Sequence, residues 1–148
     1  MEPARLQAEE HYYRALDLLA EDRPNDAAQQ FRDALTADPT FLDAQHGLIR
    51  ALQDCGAYDE GIAAAQALAA QAPDDVLAYT ALSILYQHKG LIPEAEEAAT
   101  RAKLLGWKMH LRASAQAAAA APSPEEATSA AASNDHPDAP RDAASKAE

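Results

Sequence analysis

Cysteine, histidine and paired carboxylates are the side chains with which this chain could do chemistry, and their spacing does not assemble a site. Cys55 is the only cysteine. A cysteine nucleophile needs a neighbouring base, and the nearest histidine, His46, falls about two and a half turns away on one predicted helix. Cys55 therefore reads as an inert small residue near a helix end. One cysteine also forbids an internal disulfide and any cysteine-based zinc cluster. The five histidines, His11, His46, His88, His110 and His136, include no i,i+3 or i,i+4 pair, the spacing that puts two metal ligands on one helix face. Asp74-Asp75 and Glu96-Glu97 read as solvated faces. There is no phosphate-cradling glycine loop, no HExxH and no nucleophile elbow. The expectation is a protein without catalysis, cofactor or metal.

The elements that carry these residues follow a repeat of 34 residues. Pro39 and Pro73 are one period apart, as are Leu18 and Leu52, Ala44 and Ala78, Leu48 and Leu82, and Gly56 and Gly90. Asp26, Glu60 and Glu94 run through three periods. No gap is needed from about Ala8 to Trp107. A fixed period of this size marks stacked units, each too small to bury its own apolar face.

Helix boundaries follow from local punctuation. A first helix spans about Pro3 to Ala20, with Leu6, Tyr12, Tyr13, Leu16 and Leu19 at helical spacing. Its partner starts near Pro24, where a missing N–H is tolerated, and runs to about Ala37. The second pair spans about Phe41–Asp54 and Tyr58–Gln71, with Gly56 as the stop between them. The third pair has Asp74 as its expected N-cap, Gly90 as its internal stop, and a last helix from Pro93 to about Leu105. Asp26, Glu60 and Glu94 each fall in the first turn of a second helix, where negative charge offsets the helix dipole by about 0.3–1 kcal/mol.

The residues that carry the repeat resemble the tetratricopeptide repeat. The three units read His11, Arg14, Ala15, Leu18, Ala27, Phe31, Ala34, Pro39; then Gln45, Leu48, Ile49, Leu52, Gly61, Ala65, Leu68, Pro73; then Tyr79, Leu82, Ser83, Tyr86, Ala95, Ala99, Ala102, Trp107. The middle unit departs from the family pattern. Ile49 stands at its small position, opposite the unusually small Gly61 and Ala65, a swap that conserves volume. The resemblance implies an all-α, right-handed α-solenoid of three helix-turn-helix units, with repeats at about 8–41, 42–75 and 76–107. A cap helix at about 108–121, with Trp107 packed against the last helix, would cover the exposed end. These make a repeat domain of residues 1–121. Residues 122–148, rich in Ala, Ser, Pro and Asp and lacking leucine, valine, isoleucine and aromatics, are expected to be a disordered tail.

Composition narrows the partners. Net charge is −12 with a pI near 4.7, which opposes nucleic acid and anionic membrane surfaces. No apolar run reaches the length of a membrane span, and the N-terminus lacks a signal-peptide pattern, so a cytoplasmic location is expected. The resemblance implies a concave groove formed by the first helix of each pair, receiving a peptide or protein segment. Carried onto this sequence, the groove comprises Tyr12 and Leu16, then His46, Arg50 and Gln53, then Thr80, Ile84 and Gln87, with Glu9, Leu19, Asp43 and Leu77 on the same faces. The lysine and asparagine of the family's carboxylate clamp are missing, since Tyr12, Leu16, Gly47, Leu77 and Ala81 stand at those places. The groove should suit an apolar or amphipathic segment, with Arg50 meeting an acidic group. The leading function is a non-catalytic adaptor or scaffold. A chaperone for a secreted or assembling client, and a self-assembling structural protein that includes a homodimer, remain alternatives.

Overall fold

The structure is a computed structural model that describes residues 2–120. The expected tail at 122–148 lies outside the described residues. Six helices follow one another: α1 (Pro3–Ala20), α2 (Pro24–Ala37), α3 (Leu42–Asp54), α4 (Tyr58–Gln71), α5 (Val76–His88) and α6 (Ile92–Ala120). They form an α-solenoid in which α1 packs on α2, α2 on α3, α3 on α4 and α4 on α5. Among the described residues there is no strand.

The three turns inside the pairs are built alike. Asp22, Gly56 and Gly90 take positive φ values of 60°, 83° and 77°, at the period of 34. After each, the next backbone N–H returns to a carbonyl five residues back: Arg23 to Leu18, Ala57 to Leu52 and Leu91 to Tyr86, all at 2.9 Å. This left-handed closure satisfies the last carbonyls of the helix. Glycine meets it without strain, whereas Asp22 bears the cost of a Cβ in the left-handed region.

Burial is alanine-rich, and a few large residues define two clusters. The first gathers Phe31, Phe41 and Leu52 with Ala8, Ala15, Ala27, Ala34 and Ala44. The second gathers Ile49, Leu68, Leu82 and Leu85 with Ala65, Ala78 and Ala98. Phe31 is fully buried, and its ring lies against the backbone of Gly47 in the next repeat. A Cβ at Gly47 would sit 2.5 Å from the ring Cζ and 2.9 Å from Cδ1. Gly61 plays a gentler version of the same role, for a Cβ there would stand 3.1 Å from Leu85 Cδ2. The small residues of the middle repeat thus admit side chains from the neighbouring helices. Ile49 also packs in the cluster that holds Ala65.

Three local expectations are corrected. Asp75, not Asp74, caps α5, its Oδ1 accepting from the backbone N–H of Leu77 at 2.9 Å and of Ala78 at 3.3 Å. The last helix does not stop near Leu105. It continues through Gly106 to Ala120, so residues from about 108 extend α6 rather than turning back as a separate cap. A single glycine costs a helix only about 1 kcal/mol, and its neighbours Lys103, Leu104, Leu105, Lys108 and Met109 favour helix. Trp107 is 62% exposed on that same helix instead of packing against it. The compact unit spans Met1–His110, and Leu111 begins a second unit whose described residues are helical and exposed.

Gly47→Ala should destabilise the fold by about 1–3 kcal/mol through overlap with the Phe31 ring. Phe31→Leu in the same chain should recover part of that loss, read by urea denaturation. Gly56→Ala should cost about 1 kcal/mol, while Asp22→Gly should move stability the other way, since only the latter relieves a left-handed Cβ.

Candidate functional site

Helices α3 and α5 lie side by side and leave a groove of about 280 Å³ between them, lined by His46, Ile49, Arg50, Gln53, Leu77, Thr80, Ala81 and Ile84. The helical repeat explains the set. His46, Ile49, Arg50 and Gln53 share one face of α3, and Leu77, Thr80, Ala81 and Ile84 share one face of α5. Ile49 is buried at the floor, Ile84 is half-buried, and Leu77 is 60% exposed at the mouth. An exposed leucine beside two isoleucine side chains gives the groove an open apolar surface.

One carboxylate ties the two walls together. Asp75 Oδ2 accepts from His46 Nε2 at 2.6 Å, while its other oxygen caps α5. The Asp75 side chain is 10% exposed and that of His46 25%, so this contact is shielded from solvent and links α3 to the start of α5. His46 is thereby committed to Asp75 and not to Cys55, whose thiol donates to the Leu52 carbonyl at 3.5 Å.

The charge of the groove differs from expectation. Arg50 is not a free cation waiting for an acidic ligand. Its Nε donates to both carboxylate oxygens of Asp54 at 3.1 Å, one turn on along α3. Asp43 stands one turn before His46 on the same helix face, and the groove's His46 and Arg50 are each met by a carboxylate, Asp75 and Asp54.

Five of the eight residues assigned from the sequence line this groove together: His46, Arg50, Gln53, Thr80 and Ile84. Gln87 is exposed on α5 beyond the lining. Tyr12 and Leu16 stand apart, on α1. The Tyr12 ring packs 5.0 Å from that of Phe41 and 5.9 Å from that of Phe31, and burial pushes its hydroxyl above the ordinary tyrosine range. Tyr12 is thus part of the first core cluster's wall, and Leu16 is exposed on α1. Sequence reasoning passed over Ile49 as a lining residue, and met Ala81 only as an unfilled clamp place. Both follow from the same α3 and α5 faces, but Ile49 had been assigned wholly to helix packing.

A second recess, of about 300 Å³, lies between α4, α5 and the start of α6, with Tyr79, Tyr86, Ala98 and Arg101 among its walls. Gln66 Nε2 donates to the Tyr86 hydroxyl at 2.9 Å, and the Arg101 guanidinium lies 5.5 Å from the Tyr79 ring centre. Glu94 and Glu97 also line it. Among the described residues, no group of three or more His, Cys, Asp or Glu side chains could hold a metal ion, and no helix is long and apolar enough to cross a membrane.

A family model described as tetratricopeptide repeat matches residues 18–85. Two solved structures, titled "Crystal structure of MamA" and "Crystal structure of MamA protein", resemble this chain with TM-scores of 0.67 and 0.65, each at 23% identity. The similarity covers 70% and 72% of this chain, and the chain spans 61% and 57% of theirs. At that identity the likeness is one of fold. No curated protein matches the chain.

Asp75→Ala should cost about 1–2 kcal/mol, because it removes a helix cap and the His46 contact at once. Asp75→Asn should lose less, since an amide oxygen can still cap. Thermal unfolding of the two variants separates these roles.

Proposed function

Because this chain belongs, through residues 18–85, to the tetratricopeptide repeat family, we propose that it is a non-catalytic adaptor whose α3–α5 groove takes an apolar segment of another protein. The family's folds serve as protein-interaction scaffolds, and this coarse role is the one the fold supports directly. The observation that carries the finer reading is the lining itself: Ile49, Leu77, Ala81 and Ile84 form an open apolar strip between two walls that Asp75 holds together.

The groove's electrostatics select the ligand. With Arg50 held by Asp54, and with Asp43 and Asp75 nearby, the complementary segment has apolar anchors at helical spacing and lysine or arginine at its flanks. Such helix-in-groove binding draws its affinity from the anchors and its orientation from the flanking charges. Micromolar affinity, about −8 kcal/mol, is the expected range for a groove this size. A chaperone acting on a client segment would use the same strip, and the identity of the segment would separate the two roles. The cytoplasm, where single reduced cysteines are ordinary, is the location that goes with this reading.

The experiment is a titration of labelled amphipathic peptides onto the full chain, with identical apolar anchors and either basic or acidic flanks. Peptides with basic flanks should bind at least about tenfold more tightly than acidic ones. Ile84→Glu should abolish binding while circular dichroism stays helical. Failure of both peptide classes to bind, or binding indifferent to Ile84→Glu, would remove the groove from the function.

A further inference from the structure

The charge of this chain is segregated. The first 100 residues hold 18 of its 24 Asp and Glu but only 6 of its 12 Lys and Arg. Arg101, Lys103, Lys108 and Arg112 then follow with no acidic residue between Glu97 and Glu125. The basic stretch lies on α6, and its apolar residues there are not in the core. Ala95 and Ala98 are buried and Ala102 and Leu105 half-buried, which fixes the inward face of the helix at i, i+3, i+7, i+10 spacing. Leu104 and Trp107 stand on the opposite face, 58% and 62% exposed. Lys103 lies to one side of them around the helix and Lys108 to the other.

At the other end of the repeat array, α1 presents the reverse pattern. Its inward face carries the buried Ala8 and Ala15. Its outward face carries Leu6, 49% exposed, and Tyr13, 61% exposed, with Glu10 and Asp17 one turn after each. Among the described residues, Lys103, Lys108, Glu10 and Asp17 make no ion pair, whereas most other charged side chains of the repeats do, including Arg5, Arg23, Arg32 and Arg50.

We propose that the outward face of α6 around Leu104 and Trp107 docks on the outward face of α1 around Leu6 and Tyr13 in a second copy of this chain. The apolar residues meet along the seam, and Lys103 and Lys108 pair with Glu10 and Asp17 across it. Flanking charges of this kind set partner and orientation in helix–helix contacts. Pairing α6 with α6 would place lysine beside lysine, and pairing α1 with α1 would place carboxylate beside carboxylate, so only the mixed pairing is favoured. The contact is heterologous and joins two different surfaces. It uses neither the α3–α5 groove nor any residue of that lining, so it stands or falls apart from the adaptor reading.

The experiment is sedimentation equilibrium across a wide concentration range, comparing the full unaltered chain with its charge-reversed and Trp107 variants. The unaltered chain should show mass rising with concentration, and the association should weaken as salt rises from about 0.05 to 0.5 M through screening of the flanking pairs. The double charge reversals Lys103→Glu/Lys108→Glu and Glu10→Lys/Asp17→Lys should each be monomeric alone. Mixed together, they should associate again, because each then offers the face the other lacks. Trp107→Ala should weaken association at least about tenfold, as expected of a central aromatic anchor. All substituted positions are exposed, and far-ultraviolet circular dichroism should be unchanged.

A strict monomer at every concentration overturns the proposal. So does association that survives either charge reversal alone, which would place the contact elsewhere. Vesicles containing anionic lipid provide the third comparison. Capture of a monomeric chain by such vesicles, lost on Lys103→Glu/Lys108→Glu, would assign the α6 face to a lipid surface and likewise overturn pairing between copies.

Discussion

The ring of Phe31 against the bare backbone of Gly47 is the constraint on which the array depends. A solenoid has no single centre, so its register is set wherever one repeat meets the next. Here that junction pairs the largest buried side chain with the residue that has none. α2 can approach α3 closely only because Gly47 yields the volume. One period further on, Ala65 and Ala81 share the second cluster, so the same junction is solved there by two small residues in place of one large and one absent. Two alanines carry far less side chain than a phenylalanine, and Ile49, Leu68 and Leu85 share that second cluster with them.

The groove follows from that spacing. With α3 placed by Phe31, the face bearing His46, Ile49 and Arg50 is turned toward α5, and Asp75 completes the wall. A carboxylate that caps one helix and holds a histidine on another fixes two elements with one side chain. The cap satisfies backbone N–H groups that would otherwise lack partners, and the histidine contact makes the start of α5 track α3.

Much of this was legible in the sequence, and the failures share a cause. The period of 34 residues, the pair boundaries at Pro24, Gly56 and Tyr58, and the inward faces all rest on local spacing, which the structure keeps. Five groove residues came from the same helical arithmetic. Tyr12 also packs against the rings of Phe31 and Phe41, a contact that a helical wheel cannot show because it carries no information about the neighbouring helices. Arg50 looked like a free cation because its partner Asp54, though only four residues on, was counted as a helix end. The helix end expected near Leu105 went with a separate cap helix from about residue 108, the usual cover for the open end of a solenoid. Gly56 and Gly90 take positive φ, whereas Gly106 has no turn to close and open space around its Cα. A glycine stops a helix only when the chain beyond it has somewhere else to go. Asp22 escaped notice for the converse reason, since the left-handed turn was sought through glycine and this one uses aspartate.

The two core clusters differ in kind, and that difference reaches into the motions of the array. The N-terminal cluster contains the aromatic residues Phe31 and Phe41, walled by Tyr12. The C-terminal one is built from leucine, isoleucine and alanine. In a linear array each repeat is held only by its neighbours, so unequal clusters give unequal local unfolding free energies. Local opening of one cluster then need not open the other. The wall of the groove that carries Leu77 and Ile84 is α5, whose buried Ala78, Leu82 and Leu85 belong to the second cluster. A shift of α5 would therefore strain the aliphatic cluster and leave the aromatic one packed.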